Sequence, residues 1–314
     1  MPADILITAP LPPFLYDPLK AAYRCHDYHQ ASDKQALLTA EGGGIRGLVQ
    51  GGGTVTATRL LDALPKLEII SVFGVGYDGV PTAYCRERGI KVTNTPDVLT
   101  DDVADVALAL VLMTGRGFVR LNRFVHAGQW EKGSPELTTK LSGRKVGILG
   151  LGRIGKAIAE RVAAMGMKVA YTGRKPQDVR YEYIADLKAL AAAVDFLIVA
   201  CPGGEATRNI VNADVLAALG KKGTLINIAR GSIVDEPALV AALEAGTIKA
   251  AGLDVFADEP HIPAALLKMD NVVLLPHVGS ATRETRQAMG DLCKANLDAW
   301  FADRKVLTLI PELR

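Results

Sequence analysis

The sequence has almost no excess charge. Its 314 residues include 36 lysine and arginine residues against 34 aspartate and glutamate residues, which leaves a formal net charge of +2. A balance this even gives no reason to expect a nucleic acid or an anionic membrane as a partner. The N-terminus lacks a basic segment followed by a long apolar run, which excludes a typical secretory signal peptide. The apolar run ALALVLM, at residues 107–113, is too short to span a bilayer.

Cysteine is scarce and scattered. The four cysteines are Cys25, Cys85, Cys201 and Cys293. No two of them have the spacing of a metal site or of a redox pair, so we predict reduced thiols, no metal centre and a cytoplasmic protein. A content of 49% hydrophobic and 22% charged residues is typical of a globular chain, and the length favours two domains of about 150 residues each.

Short apolar segments alternate with helical patterns along most of the chain. The segments with the length of a strand are DILIT, LEIISV, IKVTNT, RKVGILG, MKVAYT, DFLIVAC, GTLINIA, AAGLDV and VVLLPH. Continuous apolar strands are typical of parallel sheets that are buried on both faces. Their alternation with helices predicts doubly wound α/β domains.

Helices are predicted at residues 101–114, 155–165, 237–245 and 283–302. Thr100 or Asp101 is the predicted N-cap of the first, because both residue types accept hydrogen bonds from the first turn of a helix. The glycine-rich residues 41–53, EGGGIRGLVQGGG, are predicted to be mostly loop. Within that loop, the apolar residues Ile45, Leu48 and Val49 could still form a buried strand.

A glycine motif, Gly150-Leu151-Gly152-Arg153-Ile154-Gly155, lies between the strand-like KVGIL and the helical KAIAERVAAMG. In a dinucleotide-binding unit the first glycine permits a tight turn and the second lets the backbone approach the pyrophosphate. The third glycine lets the helix pack closely on the strand. N–H groups at the start of the helix then meet the phosphates. The motif therefore predicts a dinucleotide site, with a plain structural turn as the alternative.

An acidic residue is missing from the second strand of this unit. It is expected about 20 residues after the glycines, where it binds the ribose hydroxyls of NAD. Here Thr172, Gly173, Arg174 and Lys175 stand in that place. Gly173 leaves room, and Arg174 can form charge-assisted hydrogen bonds to a phosphate, with Lys175 as a second positive charge. The sequence therefore predicts NADP(H), with NAD(H) as the weaker alternative and a solvated basic loop as the other interpretation.

Three charged residues in the C-terminal half follow or lie near predicted strand ends: Arg230, Glu259 and His277. In an open parallel sheet, the carboxyl ends of the strands face the ligand crevice. An arginine there offers a planar fork to a carboxylate, and a histidine offers a proton near neutral pH. A glutamate paired with the histidine would favour the imidazolium. These groups suit the reduction of a 2-keto acid by a nicotinamide, although each alone could be a loop cap, a surface ion pair or a structural histidine.

From about residue 68 onwards the sequence resembles the D-isomer-specific 2-hydroxyacid dehydrogenases, and specifically their glyoxylate/hydroxypyruvate and hydroxyphenylpyruvate reductase branch. The motifs that carry the resemblance are GVGYDGV, VTNTPDVLTDDVAD, GILGLGRIG, NIARGSIVDEPAL, AGLDVFADEP and LLPHVGSAT. The resemblance implies catalytic roles for Arg230, Glu259 and His277. It implies cofactor contacts at Gly150, Gly152, Arg153, Ile154, Gly155, Gly173, Arg174, Lys175, Ile228 and Asp254.

The resemblance also implies the substrate contacts. The backbone N–H groups of the loop 74–76, at Val75 and Gly76, would bind the substrate carboxylate, together with Arg230 and His277. Family members are usually homodimers built on the cofactor domain. Trp130 would then lie near the partner's active site, with an ordinary packed tryptophan as the alternative.

The implied architecture is a Rossmann cofactor domain, residues 98–285, inserted in a flavodoxin-like substrate domain, residues 1–97 and 286–314. The implied reaction is the NADPH-dependent reduction of glyoxylate, hydroxypyruvate or a similar small 2-keto acid to a D-2-hydroxy acid. Two alternatives stay open. One is a reductase of larger keto acids such as hydroxyphenylpyruvate or 2-ketogluconate, and the other is a nucleotide-sensing, corepressor-like binding protein.

Overall fold

Two separate runs of the chain build the first unit of the structure, and the run between them builds the second. The structure is a computed structural model and describes residues 2–314. The first unit extends to Leu99 and resumes over Thr282–Arg314, whereas the second comprises Thr100–Ala281. The predicted domain boundaries at residues 97–98 and 285–286, and the roles assigned to the domains, stay predictions.

A five-stranded parallel sheet forms the centre of the first unit. Its strands are β1 (Asp4–Ile7), β2 (Arg24–Asp27), β3 (Ile45–Gly51), β4 (Ile69–Phe73) and β5 (Lys91–Thr93). Their order across the sheet is β2-β1-β3-β4-β5, which is the flavodoxin-like order. The helices of this unit are α1 (Pro13–Ala22), α2 (Lys34–Glu41), α3 (Thr58–Asp62), α4 (Thr82–Glu87) and α11 (Arg283–Asp303).

The prediction that residues 41–53 are mostly loop is wrong, whereas the buried strand expected from Ile45, Leu48 and Val49 is confirmed. Ile45–Gly51 forms strand β3, and Gly42–Gly44 forms a short turn of 3-10 helix. Strand β3 lies between β1 and β4, so its apolar side chains are buried on both faces. Position 47 of this strand requires glycine, because a Cβ atom there would lie 2.8 Å from Cγ2 of Ile5. Close packing, and not a turn, is what requires that glycine.

A seven-stranded parallel sheet forms the centre of the second unit. Its strands are β6 (Lys145–Leu149), β7 (Lys168–Thr172), β8 (Glu182–Tyr183), β9 (Phe196–Val199), β10 (Thr224–Asn227), β11 (Ala250–Leu253) and β12 (Val272–Leu274). Their order is β12-β11-β10-β9-β6-β7-β8, so the strand order reverses between β6 and β9. This is the doubly wound Rossmann order with one strand added at the edge. The predicted fold class, two doubly wound parallel-sheet domains, is confirmed.

Six helices accompany the second sheet: α5 (Thr100–Arg116), α6 (Phe118–His126), α7 (Arg153–Ala164), α8 (Leu187–Ala193), α9 (Ala213–Leu219) and α10 (Glu236–Glu244). The predicted N-cap of α5 is wrong, because the helix already includes Thr100 and Asp101. The Asp101 carboxylate instead accepts a hydrogen bond from Arg161 of α7 at 2.9 Å. Across residues 2–314, none of the helices combines the length and the apolar character that crossing a bilayer requires.

Candidate active site

The three glycines of the turn between β6 and α7 differ in what surrounds them. Gly150 has a φ of +99°, and a Cβ atom there would lie 2.7 Å from the backbone N of Cys201. Gly152 precedes the first residue of α7, and a Cβ atom there would meet nothing within 4 Å. A Cβ atom at Gly155 would lie 2.2 Å from the carbonyl oxygen of Gly150. The first and third glycines are therefore steric requirements of the turn, and the second leaves the helix N-terminus open to a ligand.

The segment after β7 presents two positive charges and no acid. Thr172 is buried, and its hydroxyl donates to the carbonyl of Ala185 at 3.0 Å, so it is already used within the fold. A Cβ atom at Gly173 would meet nothing within 4 Å. The side chains of Arg174 and Lys175 are exposed, and neither has a hydrogen bond or ion pair within the described part of the chain. An anionic ligand could therefore approach both charges.

Gln177 ties this basic segment to the glycine turn, a link that the sequence interpretation missed. Its side-chain amide donates to the carbonyl of Leu151 at 2.9 Å, and its backbone N–H donates to the hydroxyl of Tyr171 at 2.7 Å. The segment 173–176 is thus held at both ends, by β7 and by Gln177. No pattern in the sequence distinguishes this glutamine from an ordinary surface residue.

Arg230 follows β10, as predicted, and its backbone is fixed on two sides. The side-chain amide of Asn227 donates to the carbonyl of Arg230 at 2.9 Å and accepts from the backbone N–H of Ala229 at 3.1 Å. A Cβ atom at Gly231 would lie 1.9 Å from the carbonyl carbon of Phe256, so only glycine fits there. One Nη atom of Arg230 donates to the carbonyl of Ala229 at 2.7 Å. Ile228, a predicted cofactor contact, lies in the same segment and is 7% exposed.

Glu259 and His277 form a hydrogen-bonded pair. Oε2 of Glu259 lies 2.7 Å from Nδ1 of His277, and Oε1 accepts the backbone N–H of Phe256 at 3.0 Å. Partial burial alone would raise the pKa of Glu259. The hydrogen bonds from His277 and Phe256, and the positive charges of His277 and Arg230, outweigh burial and lower this pKa below its usual range. The structure thus brings the three predicted catalytic residues into one electrostatic group, with a carboxylate that stays ionised.

His277 has an unusual backbone conformation, with a φ of +53°, which is costly for a residue with a side chain. Asp254, at the end of β11, holds the chain in it. Its two carboxylate oxygens accept the backbone N–H groups of Val278 at 2.7 Å and Gly279 at 2.8 Å. Burial raises the pKa of Asp254, although these two hydrogen bonds oppose that effect. In this structure, therefore, the side chain of Asp254 positions the loop that carries His277, besides its predicted role as a cofactor contact.

In the first unit, the predicted substrate loop follows β4 and is held by its neighbours. The side-chain amide of Asn94 donates to the carbonyl of Val75 at 2.8 Å, and the backbone N–H of Thr95 donates to the carbonyl of Gly74 at 2.9 Å. A Cβ atom at Gly52 would lie 3.3 Å from the carbonyl oxygen of Gly76. The glycines at the end of β3 therefore permit a close approach of two backbones, and Val75 and Gly76 are only partly exposed.

Trp130 stands apart from the other predicted residues. It lies in a short 3-10 turn, Gln129–Lys132, and is 64% exposed. Within residues 2–314 it has no hydrogen bond or ring contact to Arg230, Glu259 or His277. An ordinary packed tryptophan, the alternative interpretation, does not describe this side chain.

Comparisons with known proteins identify the family. A model of the NAD-binding domain of D-isomer specific 2-hydroxyacid dehydrogenases matches residues 108–279. Glyoxylate/hydroxypyruvate reductase A of Arabidopsis thaliana is 46% identical over 306 residues, which cover 97% of this chain and 97% of that protein. This chain belongs to the D-isomer-specific 2-hydroxyacid dehydrogenase family. The resemblance inferred from the motifs is therefore confirmed.

Two further members of the family extend the comparison. Hydroxyphenylpyruvate reductase of Plectranthus scutellarioides is 46% identical over 305 residues, which cover 97% of this chain and 97% of that protein. The NADPH-dependent glyoxylate/hydroxypyruvate reductase of Sinorhizobium meliloti, solved with NADP and malonate, is 44% identical with a TM-score of 0.92. That match covers 100% of this chain and 98% of the solved chain. These relatives are named for reductases of 2-keto acids, both small and aromatic.

Proposed function

We propose that this protein reduces small 2-keto acids, such as glyoxylate and hydroxypyruvate, to D-2-hydroxy acids with NADPH. The observation that carries the proposal is the hydrogen bond of 2.7 Å between Glu259 and His277, in the electrostatic neighbourhood of Arg230. A proton donor, an ionised partner and a carboxylate-binding fork are the groups that this reaction needs from the protein. The family membership and the names of the relatives support the same reaction class.

The residues after β6 and β7 fit NADP(H). The open position at Gly152 leaves the N-terminus of α7 accessible to the pyrophosphate. Arg174 and Lys175, exposed and without an ion pair among the described residues, would bind the 2′-phosphate, and Gly173 leaves room for it. The Sinorhizobium relative, solved with NADP, supports this choice of cofactor. When bound, the nicotinamide would supply the hydride.

His277 and Arg230 would act on the substrate in different ways. His277 would give its proton to the carbonyl oxygen as this oxygen gains negative charge. Glu259 would hold Nδ1 of His277, which leaves Nε2 for the substrate. Arg230 would bind the carboxylate and stabilise the charge that develops on the carbonyl oxygen. The backbone N–H groups of Val75 and Gly76 would donate to the substrate carboxylate.

The test is an NADPH oxidation assay with glyoxylate, hydroxypyruvate, hydroxyphenylpyruvate and 2-ketogluconate. We expect turnover with the two small acids, and a loss of about 10²–10⁴-fold in rate for His277→Ala, the usual effect of removing a general acid. NADPH binding should persist in this variant. His261→Ala is the matched control, because His261 is exposed and pairs only with Asp258 at 3.4 Å.

Other outcomes point to the alternatives. Preference for hydroxyphenylpyruvate, which the Plectranthus relative supports, would make the protein a reductase of larger keto acids. Tight NADPH binding without turnover of any acid would favour a nucleotide-sensing binding protein. Full activity of His277→Ala would contradict the role given to the histidine.

We further propose a cytoplasmic homodimer without nucleic acid or membrane partners. Four large apolar side chains of α6 and the segment after it are exposed, which suits a subunit interface: Phe118 (44%), Val125 (53%), Trp130 (64%) and Leu137 (100%). The four cysteines are unpaired, as a reducing compartment requires. Light scattering would measure the mass of the purified protein in solution and so test the dimer. A monomer at assay concentrations would contradict it.

A further inference from the structure

Arg286 is a half-buried arginine without an acidic partner. Within the described part of the chain, its guanidinium has no hydrogen bond and no ion pair, and its contact is with the ring of Phe73. Three arginines of the same unit, Arg24, Arg46 and Arg304, do have acidic partners. Arg46, for example, donates to Glu68 at 2.7 Å. Burial lowers the pKa of Arg286, and no nearby carboxylate offsets this effect. A charge held in this way lacks the compensation that buried charges usually have.

This arginine lies at the carboxyl edge of the first sheet. It belongs to the first turn of α11, and its guanidinium carbon lies 5.7 Å from the centre of the Phe73 ring. Phe73 is the last residue of β4, so the predicted substrate loop, residues 74–76, begins directly after it. The preceding residue, Thr285, donates its hydroxyl to the carbonyl of Val98 at 3.4 Å. Arg286 is thus placed beside the end of β4, at the edge of the sheet where ligands of parallel sheets bind.

A second polar group at this edge also lacks a partner. The hydroxyl of Thr95 is fully buried and makes no hydrogen bond within residues 2–314. Thr95 follows β5, and its backbone N–H donates to the carbonyl of Gly74, the first residue of the substrate loop. Buried polar groups of native proteins nearly always have a partner, protein or other. An unpartnered hydroxyl and an unpartnered guanidinium near one loop indicate that a polar ligand completes this edge.

We propose that Arg286 is a specificity-determining residue that binds a hydroxyl or other oxygen-bearing substituent on C3 of the 2-keto acid. This inference rests on the proposed function. There, Arg230 and the loop 74–76 bind the carboxylate, and His277 meets the carbonyl oxygen. The group of the substrate that still lacks a protein contact is the substituent beyond the carbonyl carbon. A guanidinium with five N–H donors suits an oxygen acceptor and gains nothing from a methyl group.

The test compares Arg286→Met on glyoxylate, which has no C3, on pyruvate, whose C3 is a methyl group, and on hydroxypyruvate, whose C3 carries a hydroxyl. We expect kcat/KM for hydroxypyruvate to fall by about tenfold or more, the effect of one charge-assisted hydrogen bond, mainly through KM. Kinetics with glyoxylate and pyruvate should be unchanged. Arg283→Met is the matched control, because Arg283 is exposed in the same helical turn and has no hydrogen bond or ion pair among the described residues.

Arg286→Lys distinguishes a lost hydrogen bond from a folding defect, because lysine keeps the charge and about the length of the side chain but lacks the planar fork of the guanidinium. It should give a KM for hydroxypyruvate between those of the wild type and Arg286→Met. An equal loss on all three substrates, or no loss on any, would overturn the inference. If the wild-type protein turns over none of the three acids, the proposed function itself fails, and this inference fails with it.

Discussion

The replacement of Glu259 by glutamine tests the coupling on which the proposed reaction depends. Glutamine has the same size, but it offers one oxygen where the carboxylate offers two. In the structure, Oε1 accepts the N–H of Phe256 at 3.0 Å and Oε2 pairs with Nδ1 of His277 at 2.7 Å. If the glutamine oxygen stays with Phe256, the NH₂ group faces His277. The positively charged imidazolium then loses its charged acceptor and meets a donor.

The size of the effect follows from the lost hydrogen bond. A hydrogen bond to a charged group stabilises by about 1.5–3 kcal/mol, and about 1.4 kcal/mol corresponds to a factor of ten in rate. The side chains of His277 and Glu259 are 42% and 32% exposed, so solvent weakens the pair and the lower end applies. We expect kcat/KM for keto-acid reduction to fall by about tenfold in Glu259→Gln.

The assay is kcat/KM for keto-acid reduction as a function of pH. The pKa of Glu259 lies below its usual range, so the wild type should keep its advantage over Glu259→Gln at neutral pH and lose it only as the pH falls through that pKa. Glu236→Gln is the control, because Glu236 only accepts the N–H of Ala257, at 3.2 Å. Profiles of Glu259→Gln that match the wild type would refute the coupling. So would a loss of rate that is equal at every pH, because that result indicates misplacement and no contribution from the charge of the carboxylate.

The remaining predictions concern the cofactor, the substrate anchor and the glycine turn. NADPH should be preferred to NADH by about tenfold or more, from one phosphate contact, and Arg174→Ala should remove much of this preference by raising KM for NADPH; equal kcat/KM values for the two cofactors in the wild type would contradict it. Arg230→Lys should lower kcat/KM for keto acids by about 10²-fold, because lysine lacks the planar fork that stabilises the charge on the carbonyl oxygen. NADPH binding measured by fluorescence should stay near normal. Gly155→Ala should destabilise the second unit by about 1–3 kcal/mol in thermal unfolding, because its methyl group cannot fit beside the Gly150 carbonyl oxygen. Gly173→Ala, whose methyl group would meet no atom within 4 Å, is its control and should unfold like the wild type.

Much of the fold could be predicted because buried parallel strands have a local signature. The apolar runs predicted as strands match β1, β4 to β7 and β9 to β12 in position. The other three strands lack that signature. Strand β2, with the sequence RCHD, is an edge strand without an apolar run, β3 is interrupted by glycine, and β8, at the other sheet's edge, has only two residues. The helices differ from prediction by at most two residues at their ends, the usual uncertainty of helix boundaries.

The site residues could be selected from the sequence by residue type, but the residues that hold them in place could not. Arg230, Glu259 and His277 are recognisable because charged residues after apolar strands are unusual and because long motifs surround them. The residues that hold the site, Asn227 and Asp254, act through backbone groups. Asn227 serves residues close to it in the chain, whereas Asp254 serves residues 24 and 25 positions away.

The sequence by itself determined the positions of nine of the twelve strands, the glycine turn, the basic segment without an acid and the types of the three reactive side chains. These features are local, because each depends on neighbours within a few residues. Only the tertiary structure decided that Glu259 and His277 share a hydrogen bond, that Asp254 holds the left-handed backbone at His277 and that Arg286 lies unpaired beside β4. Such contacts join residues 18 to 213 positions apart, and the packing of the sheets, not any local pattern, brings those atoms together.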